Sequence, residues 1–174
     1  DTINSAYLLK KNGIPTIFLF WMTTCVPCQF EFDNIHKKYA TWQKEADFNL
    51  YAISQELPKY ASRFAPYVDR KAWQFEAYYD FNRVFRRIMP EGLDGLPQTF
   101  VLDQNGNIVY HKKKYRMGDE NLLFEKVKEI VLFGTRHAKY DQTVSIANEA
   151  RKLLTKSTKD QFKDLIKYLY LACT

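Results

Sequence analysis

Thr16-Ile-Phe-Leu-Phe-Trp-Met22-Thr-Thr-Cys25-Val-Pro-Cys28 is the stretch that decides the fold. Residues 16–22 are apolar on both faces, so neither face of a strand built from them would meet water. That pattern belongs to a central strand covered on both sides, as in a parallel sheet, and the run is too short for a membrane span. Pro27 suits the first turn of a helix, where the missing N–H has no partner to lose. The two cysteines therefore fall at a strand-to-helix turn. A helix N-terminus presents unpaired N–H groups and about half a positive charge, which favour a thiolate over a thiol. Cys25 is expected just ahead of the first turn with its sulfur open to solvent, and Cys28 one turn further in and shielded.

Working outward, Ile35, Tyr39, Trp42 and Ala46 recur on one face of the helix that follows. Phe48 to Ser54 reads as a second strand, which completes a βαβ unit. Ahead of the first strand, Ala6 to Asn12 reads as the end of a helix stopped by Asn12-Gly13. The aromatic- and arginine-rich middle predicts a helix over 59–70, a short strand over 74–79 and a helix over 83–89. Its Tyr and Phe cluster reads as core packing before it reads as a substrate groove. Gln98 to Asp103 and Asn107 to His111 read as two strands joined through Gln104-Asn105-Gly106, an Asn-Gly hairpin signal. A helix follows from Asp119 with Leu123, Val127, Ile130 and Val131 on one face. Two more helices are expected over 140–174, with Cys173 on an apolar face as a packing thiol. The organisation expected is a domain over 1–134 and a C-terminal helical extension over 135–174.

Composition limits the alternatives. Hydrophobic residues make up 46% of the 174, enough for a full core. The net charge of +6 allows an acidic partner or an anionic surface without requiring one. The run from His111 to Arg116 reads as a solvated edge strand whose lysines discourage edge pairing, and no nucleic-acid partner is expected. Three cysteines are too few for a disulfide-stapled scaffold. Zinc would need four ligands, and only Cys173 and the scattered His36, His111 and His137 remain beside the pair. An inert disulfide is the other bland reading of Cys25 and Cys28. No run reaches the roughly 18 apolar residues of a membrane helix. The chain opens at Asp1 as a processed or trimmed chain would, so a missing targeting segment says nothing of its compartment.

Two motifs carry a family resemblance. The stretch from Phe20 through Cys25-Val-Pro-Cys28 to Glu31 is similar to the active-site stretch of thioredoxin-like proteins, nearest to the TlpA/ResA type of thiol–disulfide oxidoreductase. Gly95-Leu96-Pro97-Gln98-Thr99-Phe100-Val101-Leu102-Asp103, with the hairpin after it, resembles the family's cis-proline strand. The resemblance covers residues 8 to 133. It implies an α/β thioredoxin fold: a central mixed β-sheet flanked by helices. It implies that Cys25 attacks a substrate disulfide and Cys28 resolves the mixed disulfide. Pro97 becomes the cis-proline facing the cysteines. Glu31, at i+3 from Cys28, becomes the carboxylate that raises the thiol pKa and relays a proton, where the bland reading is an acid near a helix start. The partners implied are protein thiols and disulfides and an electron-donor protein of the membrane, with no cofactor beyond the cysteine pair, a monomer by default, and a periplasmic or envelope location.

Departures from the pattern matter too. Thioredoxin proper has a buried Asp where Leu19 stands here, and many relatives have Trp where Thr24 stands. Two other functions compete. A thiol peroxidase on the same fold would carry Pro-x-x-x-Thr-x-x-Cys, yet Phe18 and Met22 hold the proline and threonine positions. A redox-dependent protein-binding module would keep its partner without its cysteines.

Overall fold

The computed structural model describes residues 4–8 and 13–134. The expected extension over 135–174, with His137 and Cys173, lies outside the described residues, as do residues 9–12 of the expected first helix. Within them the order is α1 (Ser5–Leu8), β1 (Thr16–Trp21), α2 (Val26–Glu45), β2 (Asn49–Ser54), α3 (Phe64–Lys71), β3 (Glu76–Tyr79), α4 (Val84–Ile88), β4 (Gln98–Leu102) and β5 (Ile108–Lys113), with a last helix, α5, starting at residue 119.

The five strands form one mixed sheet in the order β3-β2-β1-β4-β5. β1, β2 and β3 run parallel, and β4 is antiparallel to both β1 and β5. The apolar run at 16–21 explains the centre: every residue of β1 is buried. Its side chains alternate between two cores, as strand geometry requires. Ile17, Leu19 and Trp21 join Cys28, Phe32, Ile35 and Trp42 of α2 and Leu123, Phe124 and Val127 of α5. Phe18 and Phe20 join Leu8, Phe85, Met89 and Phe100 on the opposite face. The architecture is a sheet between two helical layers, the thioredoxin fold.

The helical face predicted for α2 is the one buried, with Tyr39 packed at its edge. The expected helix over 59–70 is a 3-10 stretch, Pro58–Arg63, that runs into α3. The hairpin closes through Asp103, whose carboxylate accepts from the N–H groups of Asn105 at 2.9 Å and Asn107 at 2.8 Å. Gly106 sits at φ +81°, a conformation open to Gly at no steric cost. β5 is an edge strand, and its Lys112 and Lys113 pair with Asp119 and Glu91. Of the aromatic middle, Trp73, Phe75 and Phe85 are core, while Phe81 is exposed.

Candidate active site

β1 ends at Trp21 and α2 begins at Val26, so the turn between them carries the first cysteine. Cys25 is the N-cap of α2: its backbone is extended and its Sγ accepts the N–H of Cys28 at 3.3 Å. One of the helix's orphan donors is thus spent on the sulfur. Cys25 and Cys28 are joined in a disulfide with their Cα atoms 5.3 Å apart. Cys25 is half-buried, whereas Cys28 is 0% exposed and part of the core beneath α2.

The second motif arrives by sheet register. Antiparallel pairing sets Phe20 of β1 opposite Gln98 of β4. The residue before Gln98 therefore lies at the end of the sheet from which the Cys25 turn departs. That residue is Pro97, and the Leu96–Pro97 bond is cis. The Pro97 carbonyl accepts the N–H of Lys114 at 2.8 Å. Gln98 is 0% exposed and ties the loop from inside. Its Nε2 donates to the carbonyls of Asp94 at 2.8 Å and Gly95 at 2.9 Å. Its Oε1 meets His111 Nε2 at 2.9 Å, and the His111 ring stacks on Phe100.

Glu31 stands one turn beyond Cys28 on the same helix and is only 5% exposed. Its Oε1 accepts the hydroxyl of Thr99 at 2.9 Å, while Oε2 has no partner among the described residues. Burial, the largest influence, pushes its pKa up from 4.5 to about 7, against the Thr99 hydrogen bond, which favours the ionised form. Glu31 and Thr99 belong to different motifs, so this bond links the cysteine helix to the proline strand. The four residues singled out in the sequence (Cys25, Cys28, Glu31 and Pro97) thus fall on elements that meet at one end of the sheet.

Sequence reasoning missed Thr99 and Gln98 as parts of the site, although both sit in the quoted proline motif. It also missed Glu56, whose Oε1 accepts the backbone N–H of Thr23 at 2.8 Å and the Thr23 hydroxyl. Nothing in the linear spacing signals that contact across 33 residues. Of the histidines, His111 is taken up by Gln98, and His36 Nδ1 accepts the N–H of Gln74 at 3.2 Å. Among the described residues no three His, Cys, Asp or Glu side chains gather as a metal site would need.

Comparison with known proteins agrees with this geometry. The sequence profile of the AhpC/TSA family matches residues 2–111. An uncharacterized thioredoxin-like protein from Porphyromonas gingivalis is 37% identical, over 69% of this chain and 77% of that one, with a TM-score of 0.59. Two more distant structures share the fold. One is a putative thiol:disulfide interchange protein DsbE from Chlorobium tepidum, at 21% identity, 70% and 82% coverage and a TM-score of 0.59. The other is the bacterioferritin comigratory protein of Xanthomonas campestris, described for alkyl peroxide reduction, at 15% identity, 68% and 81% coverage and a TM-score of 0.54. No curated protein sequence matches the chain.

Proposed function

We propose, from the premise that this chain belongs to the AhpC/TSA family and to the thioredoxin-like proteins, that it is a thiol–disulfide oxidoreductase that reduces disulfides of protein substrates through Cys25 and Cys28. The observation that carries the reading is the unequal pair: a half-buried sulfur capping α2, at the end of the sheet where cis-Pro97 also lies, disulfide-bonded to a sulfur sealed in the core. The Cys25 thiolate, favoured by the helix terminus, attacks one sulfur of the substrate disulfide. A mixed disulfide forms and the substrate's other sulfur leaves as a thiolate. Cys28 then gives up its proton, and its thiolate attacks Cys25 Sγ. The substrate departs with two electrons gained, and the Cys25–Cys28 disulfide seen here is the product.

Glu31 is the group placed to take the Cys28 proton. A carboxyl titrating at about 7 gains and loses a proton readily near neutrality. The loop at Pro97, ahead of β4, supports binding of an extended substrate segment, since proline keeps that loop from spending a donor on the sheet. The pair needs no cofactor. In this reading it is returned to the dithiol by an electron-donor protein of the membrane, and the TlpA/ResA resemblance supports both that donor and a periplasmic or envelope setting.

The test is a Cys28→Ser variant incubated with disulfide-bearing proteins. Mixed disulfides through Cys25 are expected to accumulate, whereas wild type releases them. The wild-type couple should equilibrate below about −220 mV; a value near about −120 mV would make the protein an oxidant instead. A second reading, thiol peroxidase, is favoured by the family profile and by the Xanthomonas fold neighbour. Against it, the positions that would hold the peroxidase proline and threonine are the buried Phe18 and the half-buried Met22. Rapid consumption of hydrogen peroxide by the reduced protein would decide for it. Partner capture that survives Cys25→Ser and Cys28→Ser together would make the protein a binding module.

A further inference from the structure

The turn that presents Cys25 does not hold itself. It is closed by one bond, from the N–H of Cys25 to the carbonyl of Met22 at 3.0 Å. Its two central residues are Thr23 and Thr24, β-branched side chains that lack the conformational latitude of Gly, Asn or Asp. The geometry is imposed from outside, and it is imposed on Thr23. The Thr23 N–H donates to Glu56 Oε1 at 2.8 Å, and the Thr23 hydroxyl donates to the same oxygen. The Thr23 carbonyl accepts Gln29 Nε2 at 2.8 Å. All three polar groups of one residue are taken, two by the segment after β2 and one by the first turn of α2.

Glu56 is 2% exposed. It follows Gln55, whose N–H is bonded to the carbonyl of Trp21 at 2.8 Å, so the ends of β1 and β2 leave the sheet together. Its charge acts on the Tyr79 hydroxyl at the end of β3, on which Arg83 and Asp80 also act. A buried carboxylate is expensive to keep unless its hydrogen bonds serve something. Here they serve the backbone two residues before the nucleophile. Chain geometry limits the Thr23–Cys25 Cα separation to at most about 7 Å. A carboxylate bonded to a residue two positions from Cys25, in a poorly solvated region, disfavours a thiolate there, and a couple whose reduced form is destabilised is the more reducing.

We propose that Glu56 is a positioning residue of the redox centre: it clamps Thr23, fixes the turn that presents Cys25, and through its buried charge keeps the Cys25–Cys28 couple reducing. The inference rests on the oxidoreductase reading and adds to it a residue 31 positions beyond Cys25 in the chain.

The test equilibrates wild type, Glu56→Gln, Thr23→Val and Thr23→Ser with mixtures of reduced and oxidised dithiothreitol at pH 7, and counts trapped thiols by mass. Each disulfide reduced converts one reduced dithiothreitol to its oxidised form. Glu56→Gln keeps an acceptor and removes the charge, and is expected to shift the equilibrium toward the protein dithiol about tenfold, equivalent to about 30 mV for a two-electron couple. Thr23→Val removes one donor and is expected to change the constant about threefold, as the loss of a single hydrogen bond would, while Thr23→Ser restores it. A Glu56→Gln constant within twofold of wild type overturns the proposal, whatever the loss of thermal stability. If Glu56→Gln does not fold, the threonine pair decides: valine and serine variants that behave alike overturn it, and a valine defect rescued by serine upholds it. The wild-type control separates the two readings. A wild-type pair that never interconverts removes the oxidoreductase reading itself, whereas a cycling wild type with unmoved variants removes only the clamp.

Discussion

Glu31 is the residue whose chemistry has the clearest consequence in solution. Its carboxyl is lifted from 4.5 to about 7 by burial. The folded protein therefore keeps a proton that the unfolded chain releases in that interval. Stability falls as pH rises from about 4.5 to about 7, by something on the order of 3 kcal/mol, and is level above. Glu31→Gln retains an acceptor for Thr99 and carries no charge. It is expected to match wild type near pH 5 and to exceed it at pH 8 by about 2–3 kcal/mol in urea unfolding. A variant whose pH profile parallels wild type would remove the raised pKa from the account. The same variant should lose the titration of substrate release near pH 7. At this scale the sequence named Cys25, Cys28, Glu31 and Pro97 because each sits in a short motif with its own local chemistry. Thr99, Gln98 and Glu56 went unnamed because their roles arise from partners brought in by sheet register and strand ends, and no local pattern encodes a contact such as Thr23 to Glu56.

Among the elements, β1 and α2 were legible because their patterns are extreme. A strand apolar on both faces admits one place in a sheet, and the stripe of Ile35, Trp42 and Ala46 admits one buried face. That face meets α5 through a flat stack of Trp42 on Phe124, with ring centroids 4.6 Å apart. Both rings are buried, so Trp42→Ala leaves a void as well as losing transfer energy. The expected loss is about 3–5 kcal/mol in denaturant unfolding, with the disulfide chemistry retained because Trp42 is far along α2 from Cys28. A loss below about 1 kcal/mol would mean the site collapses around the truncation. The segment before the proline was less legible. Pro90–Leu93 holds Glu91, Gly92 and Leu93 at positive φ. For Glu91 and Leu93 no residue preference announces such a backbone, so the turn is set by packing around Leu93 and Met89.

Across the whole molecule the sheet has two edges, β3 and β5. β5 exposes Ile108 and Val109, residues that would welcome another strand. Its far half carries Lys112 and Lys113, paired with Asp119 and Glu91 yet still reaching solvent. Charges on an edge oppose docking of a second chain. Replacing both lysines by Val is expected to leave the fold intact and to produce concentration-dependent association in size-exclusion chromatography and light scattering. A double variant whose elution and scattering match wild type at every concentration would assign edge protection to other features. The overall architecture was readable from the order of its strands and helices, because crossovers and hairpins admit few alternatives once the central strand is known. The unequal burial of Cys25 and Cys28 also sets a stoichiometry. Once reduced, the pair offers one open sulfur to a bulky electrophile, so in a Cys173→Ser background one equivalent of maleimide should silence the protein, leaving its second thiol intact yet without a partner: a two-thiol centre that can be counted, and switched off, as a single group.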